Sequence, residues 1–335
     1  MSVFGRSNVM SKALSKPARA SVTAREQKLE RLSKRQKVLR NMKRYWFLYL
    51  LFLPTLIFLC VFNYWPIFLQ FILSFKEYTF LGGIWGSEWV GLENFIEIFS
   101  TPEISRVILN TIRISLINIV ISFVPPIILS ILLFDLRSNL LRKVTQNLLY
   151  IPYFFSWIII YAVFYAIFAN TGALNSLLQQ FGLPMQNFMI EKEYFIPMLI
   201  VSSLYKNLGW STIIYMAALT SIDTELFEAA KIDGAGPIAR IRYITLPSIK
   251  SISIFVLTLS LGNILVVGTE QILLFYTPAS YEIGDVIGTW IYRQGLGKME
   301  DSLGAAMSMF QSVIGFILVM CSNVFAKKFA KVGIW

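Results

Sequence analysis

Six stretches of the chain carry almost no charged residues, and each is long enough to cross a membrane as a helix. About 20 apolar residues span a hydrocarbon core of ~30 Å. Because backbone groups in lipid must be hydrogen-bonded within the protein, such stretches form helices, and the short alternating segments of a β-barrel are absent. The pattern predicts an all-α, polytopic membrane protein with six transmembrane helices. The predicted spans are Tyr45–Phe75, Ile114–Phe134, Tyr153–Ala169, Tyr194–Ile222, Ser251–Thr269 and Ser302–Ala326.

The composition supports this class. Of 335 residues, 56% are hydrophobic and only 15% are charged, and the mean hydropathy is +0.62. A soluble protein has roughly 25% charged residues. The chain contains no histidine, which excludes imidazole bases and ligands. We interpret Cys60 and Cys321 as small buried hydrophobic residues, and we expect no catalytic residue or metal site.

The net charge of +11 comes from one segment. Residues 1–45 contain 13 basic and two acidic residues, and the rest of the chain is neutral overall. An excess of Lys and Arg marks the cytoplasmic side of a membrane protein. The loops between the predicted spans alternate along the chain: acidic loops are assigned to the outside, and basic or neutral loops to the inside. The sequence therefore predicts an integral protein of the cell membrane with both termini in the cytoplasm and no cleaved signal peptide.

Residues 1–44 form a predicted basic cytoplasmic tail, and residues 45–335 the membrane domain. Apolar residues in the tail recur at helical spacing among Lys and Arg, which favours an amphipathic helix on the inner leaflet. A disordered tail that only fixes the topology is the equal alternative. The apolar positions are Leu29, Leu32, Leu39, Met42 and Trp46.

Residues 223–247 form a long loop on the predicted cytoplasmic side, with the pattern of helix, turn and helix. Asp223 is a good N-cap, and Gly234 and Gly236 permit positive φ at the turn. Pro237 suits the first position of the second short helix, and we expect Pro247 to end that helix before the fifth span. A short helix exposed on a membrane protein is suited to docking into a partner's groove.

This loop resembles the EAA loop of ABC importer permeases, without a gap. Many sugar permeases have Pro where this chain has Asp223. The matching positions are Glu228, Ala229, Ala230, Asp233, Gly234, Leu246 and Pro247. Five further segments are similar to those of carbohydrate permeases of the type I fold. Two of the five, Tyr281–Arg293 and Gly333–Trp335, are similar to the branch that imports complex oligosaccharides or polysaccharide fragments. These segments are Trp89–Phe95, Asn110–Thr111, Pro152–Phe154, Tyr281–Arg293 and Gly333–Trp335.

The resemblance implies a transport subunit rather than an enzyme. It implies a second, homologous permease as partner, a cytoplasmic ATPase dimer docked on the loop, and an extracellular sugar-binding protein that delivers an oligosaccharide. ATP and Mg would be bound by the partner ATPase. The chain has no Gly-x4-Gly-Lys-Ser/Thr loop of its own, and we expect no cofactor on it.

Polar and aromatic residues in the fourth and fifth spans are candidates for the substrate path, because sugar sites combine aromatic faces with amides and carboxylates. The candidates are Tyr205, Lys206, Asn207, Trp210, Asn263, Glu270 and Gln271. Lys206 could instead form a structural ion pair with Glu270 or extend to the headgroups, and aromatic residues are also common at membrane interfaces.

Two other classes of protein remain open. An ion-coupled secondary transporter would need several intramembrane acids, and the only candidate is Glu270, at the outer end of the fifth predicted span. A glycosyl-transferring membrane enzyme would need paired carboxylates or a metal motif. The outer acids are scattered in sequence, and we interpret them as topology signals. They are Glu88, Glu93, Glu97, Glu103, Glu282 and Asp285.

Overall fold

The computed structural model describes residue 41 and residues 44–262, 264–266 and 268–330, which are mostly helical. The predicted tail helix (apart from Trp46), the candidate Asn263 and the terminal segment 333–335 lie outside the described residues. Contacts divide the chain into two compact units, residues 1–68 and 69–335. The predicted boundary after residue 44 stays a prediction.

Helix α1 (Trp46–Leu73) corresponds to the first predicted span. A π turn at Cys60–Tyr64 interrupts its hydrogen-bond pattern. All side chains from Trp46 to Phe68 are exposed, Cys60 among them, so this cysteine is not buried as expected. A helix that is apolar all round is suited to contact with lipid or with other membrane helices.

The unit of residues 69–335 contains two short strands and thirteen described helices. Strands β1 (Lys76–Glu77) and β2 (Glu88–Trp89) pair antiparallel, with Lys76 opposite Trp89 and Glu77 opposite Glu88. The helices are α2 (Gly83–Gly86), α3 (Glu93–Ser100), α4 (Ile104–Phe134), α5 (Asn139–Tyr150), α6 (Trp157–Phe168), α7 (Ala173–Gln180), α8 (Lys192–Thr220), α9 (Thr224–Ile232), α10 (Pro237–Gly262), α11 (Thr269–Phe275), α12 (Tyr281–Gly284), α13 (Ile287–Ile291) and α14 (Asp301–Ala330). Short 3₁₀ turns lie at Ile151–Phe154 and Pro278–Ser280, and a π turn at Tyr292–Gly297 follows α13.

Five helical segments in the described part of the chain are long and apolar enough to cross a membrane. They are Trp46–Leu73, Ile104–Phe134, Trp157–Gln180, Pro237–Gly262 and Asp301–Lys328. The fourth predicted span, Tyr194–Ile222, forms the 29-residue helix α8, which is long enough but carries more polar residues. The count of six transmembrane helices therefore stays a prediction.

The third predicted span is built differently from the others. Helix α6 has only 12 residues, about 18 Å of helix, and the residues after it turn before α7 begins within the predicted polar loop. Helix α5 precedes α6, and its carbonyl at Leu149 lies where a Cβ on Gly209 would be. The C-terminal end of α5 therefore packs closely against the middle of α8, at a position where α8 has no side chain.

Helix α10 corrects two expectations. It runs without a break from the loop into the fifth span, so Pro247 does not end a helix. A π turn at Ile241–Thr245 precedes the proline and accommodates both its missing N–H and its ring. At the other end α10 stops at Gly262, so the predicted span Ser251–Thr269 is helical only in its first part.

Three clusters of buried apolar side chains stabilise the unit of residues 69–335. One joins the N-terminal half of α8 to α6 and α11, a second joins α3 and α13 to α14, and a third joins the ends of α4 and α8 to Ile249 of α10. The long helices α4 and α8 share the most extensive contact between two elements. These helices hold the loop at one end of the unit.

Candidate functional site

The loop of residues 223–247 begins with the predicted N-cap. Asp223 is extended, and its Oδ1 accepts a hydrogen bond of 3.0 Å from the backbone N–H of Glu225. The ring of Phe227, on the inner side of α9, packs 5.7 Å from the ring of Phe134. The cap fixes where α9 starts, and the aromatic contact holds it against the end of α4.

A Schellman turn ends α9. Gly234 has φ of +78°, the left-handed conformation that glycine adopts without strain. The N–H of Ala235 donates to the carbonyl of Ala230 at 2.8 Å, and the N–H of Gly234 to that of Lys231 at 3.2 Å. The prediction of positive φ is confirmed at Gly234 and wrong at Gly236, which has φ of −68° and precedes Pro237 as an N-cap.

The outer face of this loop leaves large apolar side chains uncovered. Ile232 is 87% exposed and Ile238 is 81% exposed. Leu226, Tyr243 and Leu246 are exposed beside them, together with the motif residues Glu228, Ala229, Asp233 and Pro247, while Ala230 is half-buried. Several large apolar side chains exposed on one ordered loop are typical of a protein-binding site.

A polar cavity of about 240 Å³ lies among α4, α6, α8, α10 and α11. Two of the predicted path residues, Asn207 and Gln271, line it. Gln271 is buried, and its Nε2 donates to the carbonyl of Leu199 and to Oγ of Ser202, both at 2.8 Å. The amide of Asn207 makes one long hydrogen bond, 3.4 Å, to Oγ of Ser203. Asn207 is therefore the better placed of the two for an additional ligand.

Most other polar residues of the cavity wall were missed from the sequence. Ser115, Asn118 and Ser122 line it from α4, and Ser203 and Ser260 from α8 and α10. The three α4 residues follow one another at i, i+3 and i+7, which places them on one helical face. That spacing is visible in the sequence and could have identified them.

Lys206 does not form the ion pair considered above. Its Nζ donates to the backbone carbonyl of Tyr153 at 2.9 Å and to that of Phe155. These carbonyls lie at the break between α5 and α6, where backbone groups lack helical partners. The three ion pairs among the described residues do not include Lys206 and Glu270, and Glu270 is exposed at the start of α11. Lys206 therefore satisfies the carbonyls of a broken helix.

The two aromatic candidates lie away from the cavity wall. The Trp210 ring stacks on the Tyr153 ring, with centroids 4.4 Å apart and planes 6° apart. The Tyr205 ring lies 6.1 Å from that of Phe164. Trp157 is the aromatic residue that lines the cavity, and Nζ of Lys206 lies 5.5 Å from its ring centroid.

A buried ionic cluster joins the segment of residues 276–297 to the start of α4. Asp285 is 1% exposed and accepts hydrogen bonds of 2.7 Å from both Arg293 and the hydroxyl of Thr289. Arg293 also lies 3.6 Å from Glu103, which accepts a bond of 3.1 Å from the Trp290 indole. The expectation that Glu103 and Asp285 only mark topology is wrong, because both share one arginine.

Backbone contacts tie the same segment to α4. The side-chain amide of Asn110 donates hydrogen bonds to the backbone carbonyls of Glu282 and Asp285, at 3.1 and 3.2 Å. The hydroxyl of Thr111 accepts a bond of 2.9 Å from the N–H of Ile287. The Asn110–Thr111 pair, noted above for its resemblance, therefore positions the segment that follows α11.

Burial and charge shift the pKa values in this region. Burial, with a hydrogen bond to Tyr281, raises the pKa of Tyr276 to about 12. Burial alone would lower the pKa of Arg293, but its hydrogen bond with Asp285 outweighs this, and the pKa lies above the ordinary value. Nearby, a hydrogen bond from Lys192 lowers the pKa of Glu282. Arg293 therefore stays charged, as the buried carboxylate requires.

These features define the class of protein: a polytopic helical membrane protein with a polar cavity among its helices and an exposed helix-turn-helix loop. Residues 126–331 match the family of binding-protein-dependent transport system inner membrane components. This match covers more than half of the chain and includes the whole loop. The chain belongs to this family, and it is a membrane permease component of an ABC importer.

Similar proteins narrow the position within the family. The chain is 37% identical to the polygalacturonan/rhamnogalacturonan transport system permease protein YteP of Bacillus subtilis (strain 168), over 96% of this chain and 100% of the relative. It is 27% identical to the arabinooligosaccharides transport system permease protein AraP of the same organism, over 82% of this chain and 86% of the relative.

A solved structure has the same fold. The crystal structure of a bacterial alginate ABC transporter, in complex with an alginate pentasaccharide-bound periplasmic protein, contains a chain that is 33% identical. The TM-score is 0.80, and the match covers 88% of this chain and 99% of that chain. The fold prediction of a type I importer permease is therefore confirmed.

Proposed function

We propose that this chain is the transmembrane subunit of an ATP-driven importer of oligosaccharides or polysaccharide fragments. It acts with a second permease, a cytoplasmic ATPase dimer that binds ATP and Mg, and an extracellular sugar-binding protein. The names of the relatives support the substrate class, since they include polygalacturonan, arabinooligosaccharide and alginate transport. The observation that carries the proposal is the ordered loop with its uncovered apolar face.

The loop couples the ATPase to the membrane helices. An ATPase groove would cover Leu226, Ile232 and Ile238, with Glu228 and Asp233 at the rim. Because α10 is one continuous helix from Pro237 to Gly262, a displacement of the loop is transmitted directly to the cavity wall at Ser260. The docked ATPase dimer thus changes access to the cavity when it closes on ATP.

The cavity supplies the polar part of the path. Its serines and amides offer hydrogen bonds to sugar hydroxyls, and Trp157 offers an aromatic face. At about 240 Å³ it is smaller than the roughly 300–1,000 Å³ typical of ligand pockets. The chain thus contributes one wall of the path, and the second permease the rest.

Charge reversal in the loop tests the coupling. In the complete transporter, we expect Glu228→Lys to remain in the membrane but to lose copurifying ATPase and uptake of labelled oligogalacturonides. Glu97→Lys reverses another exposed glutamate, on α3, and should leave both unchanged. Normal uptake by Glu228→Lys would overturn the coupling role, and a chain that transports without any ATPase would overturn the importer itself.

Substitution in the cavity tests the path. We expect Asn207→Leu to reduce uptake at least about tenfold without lowering the amount of transporter or of bound ATPase, since a buried site loses its hydrogen bond to the substrate. Tyr205→Phe keeps the contact with Phe164 and should transport normally. Equal uptake by the two variants would exclude Asn207 from the path.

A further inference from the structure

A second, larger cavity lies between α10 and α14. It has a volume of about 460 Å³ and opens between two helices that are each long and apolar enough to cross a membrane. Most of its wall is aliphatic or aromatic, with Ile254, Leu257 and Leu261 on one side and Phe325 and Ala326 on the other. We call this cavity the α10–α14 groove.

The polar groups in the groove are few. The hydroxyl of Thr258 already donates to the carbonyl of Ile254 in its own helix, at 2.7 Å. The exposed thiol of Cys321 behaves mainly as a small apolar group. Ser322 is the remaining polar residue of the wall. With one such hydroxyl, against the several serines and amides of the polar cavity at Asn207, the groove is poorly suited to the hydroxyls of a sugar, so the transported substrate is not its ligand.

Two lysine side chains lie at one end of the groove. Lys250 is exposed and lines the groove, and the exposed Lys327 follows Ala326 directly in α14. Both lie on the side of the membrane that the charge pattern predicts to be cytoplasmic. The groove thus combines an apolar slot at membrane depth with positive charge at its predicted inner end.

We propose that the α10–α14 groove binds an anionic phospholipid of the inner leaflet. One acyl chain lies against Leu257, Leu261 and Phe325, and the ammonium of Lys250 holds the phosphate. Basic pockets between transmembrane helices bind anionic lipid headgroups in this way. The volume of about 460 Å³ falls within the roughly 300–1,000 Å³ of ligand pockets. A helix of another subunit would instead need an acidic group to neutralise Lys250 inside the interface.

Such a lipid would act on the moving part of the molecule. Helix α10 connects the loop at Pro237 to the polar cavity at Ser260, and the groove lies along that same helix. An anionic lipid wedged between α10 and α14 would therefore affect how far α10 can shift when the loop moves.

Photolabelling of the complete transporter tests the site. The transporter is placed in lipid nanodiscs that contain either phosphatidylglycerol or phosphatidylcholine with a diazirine in the acyl chain, and is irradiated. Labelled peptides are then located by mass spectrometry. We expect phosphatidylglycerol to label residues 250–261 and 321–326 about fivefold more than phosphatidylcholine.

Two lysine variants identify the cation. Lys250→Gln should remove the preference for phosphatidylglycerol. Lys298→Gln changes another exposed lysine, just before the opposite end of α14, and should keep it. Equal labelling by the two lipids in the unaltered chain would overturn the proposal, as would an equal loss of preference in both variants.

The rate at which maleimide modifies Cys321 is a second measurement of lipid binding in the groove, made on the folded transporter. In a Cys60→Ser chain, we expect maleimide to modify Cys321 more slowly in phosphatidylglycerol than in phosphatidylcholine, and Lys250→Gln to abolish the difference. If Cys321 is equally protected in both lipids and the groove is not photolabelled, a protein subunit covers it, and the lipid proposal is wrong.

Discussion

The loop of residues 223–247, for which we propose a coupling role, differs in construction from the buried ionic cluster. The loop exposes Ile232 and Ile238 and keeps its conformation through local hydrogen bonds at Asp223 and Gly234. The cluster buries Asp285, and its Arg293 also lies 3.6 Å from Glu103, which is distant in sequence. A surface kept for a partner is built from neighbours in sequence and leaves apolar groups uncovered. The buried carboxylate has its direct partners, Thr289 and Arg293, nearby in sequence, but Arg293 also pairs with a residue from a distant segment.

The difference predicts where substitution destabilises the protein most. We expect Arg293→Met to lower the free energy of unfolding by about 3 kcal/mol, because it leaves the carboxylate of Asp285 buried without its cation. Thermal unfolding of the purified transporter measures this. Lys192→Met, in the exposed ion pair with Glu282, should change stability far less, because water screens that pair. Equal losses in the two variants would mean that Asp285 is not effectively desolvated.

Two glycines in the loop give a smaller and more local effect. Gly234→Ala should destabilise the end of α9 by about 1 kcal/mol, since alanine is strained at φ of +78°. Gly236 has φ of −68°, which alanine adopts without strain, and the methyl group added by Gly236→Ala would meet nothing within 4 Å. We expect ATPase binding to weaken in the first variant and to be unchanged in the second. Titration of the purified ATPase onto each permease measures this, and equal affinities would show that the Schellman turn does not shape the docking surface.

The smallest expected effect depends on pH. The hydrogen bond from Lys192 lowers the pKa of Glu282, so the stability that it provides is present above the ordinary glutamate pKa of about 4.3 and is lost as pH falls through the lower, folded-state value. Both side chains are exposed, so the loss should be slight. A Glu282→Gln chain should show less decrease in melting temperature below pH 4 than the unaltered chain. An identical decrease would assign acid sensitivity to other carboxylates.

Much of the loop could be predicted because its structure is local. The N-cap at Asp223, the turn at Gly234 and the helix start at Pro237 each depend on residues within one helical turn. The prediction that Pro247 ends a helix is wrong for a physical reason. A proline normally ends a helix, but here a π turn at Ile241–Thr245 precedes Pro247 and lets the helix continue. No feature of the sequence predicts that turn.

The site in the membrane could be predicted only in part. Asn207 and Gln271 were identified from residue type, and the serines of α4 could have been found from their helical spacing. Residue type alone leaves Lys206 open among an ion pair, an extension to the lipid headgroups and the substrate path. Its actual partners are the backbone carbonyls of Tyr153 and Phe155, which became available only because the third span is broken.

By itself the sequence determined the helical membrane class, the position of the helix-turn-helix loop and the resemblance to sugar importers, because hydrophobic runs and short-range caps depend on consecutive residues. Only the tertiary structure decided which polar groups face a cavity, which are buried in ion pairs and which satisfy a broken backbone. Those outcomes depend on contacts between helices far apart in the chain, such as α4 with α8 and Glu103 with Arg293.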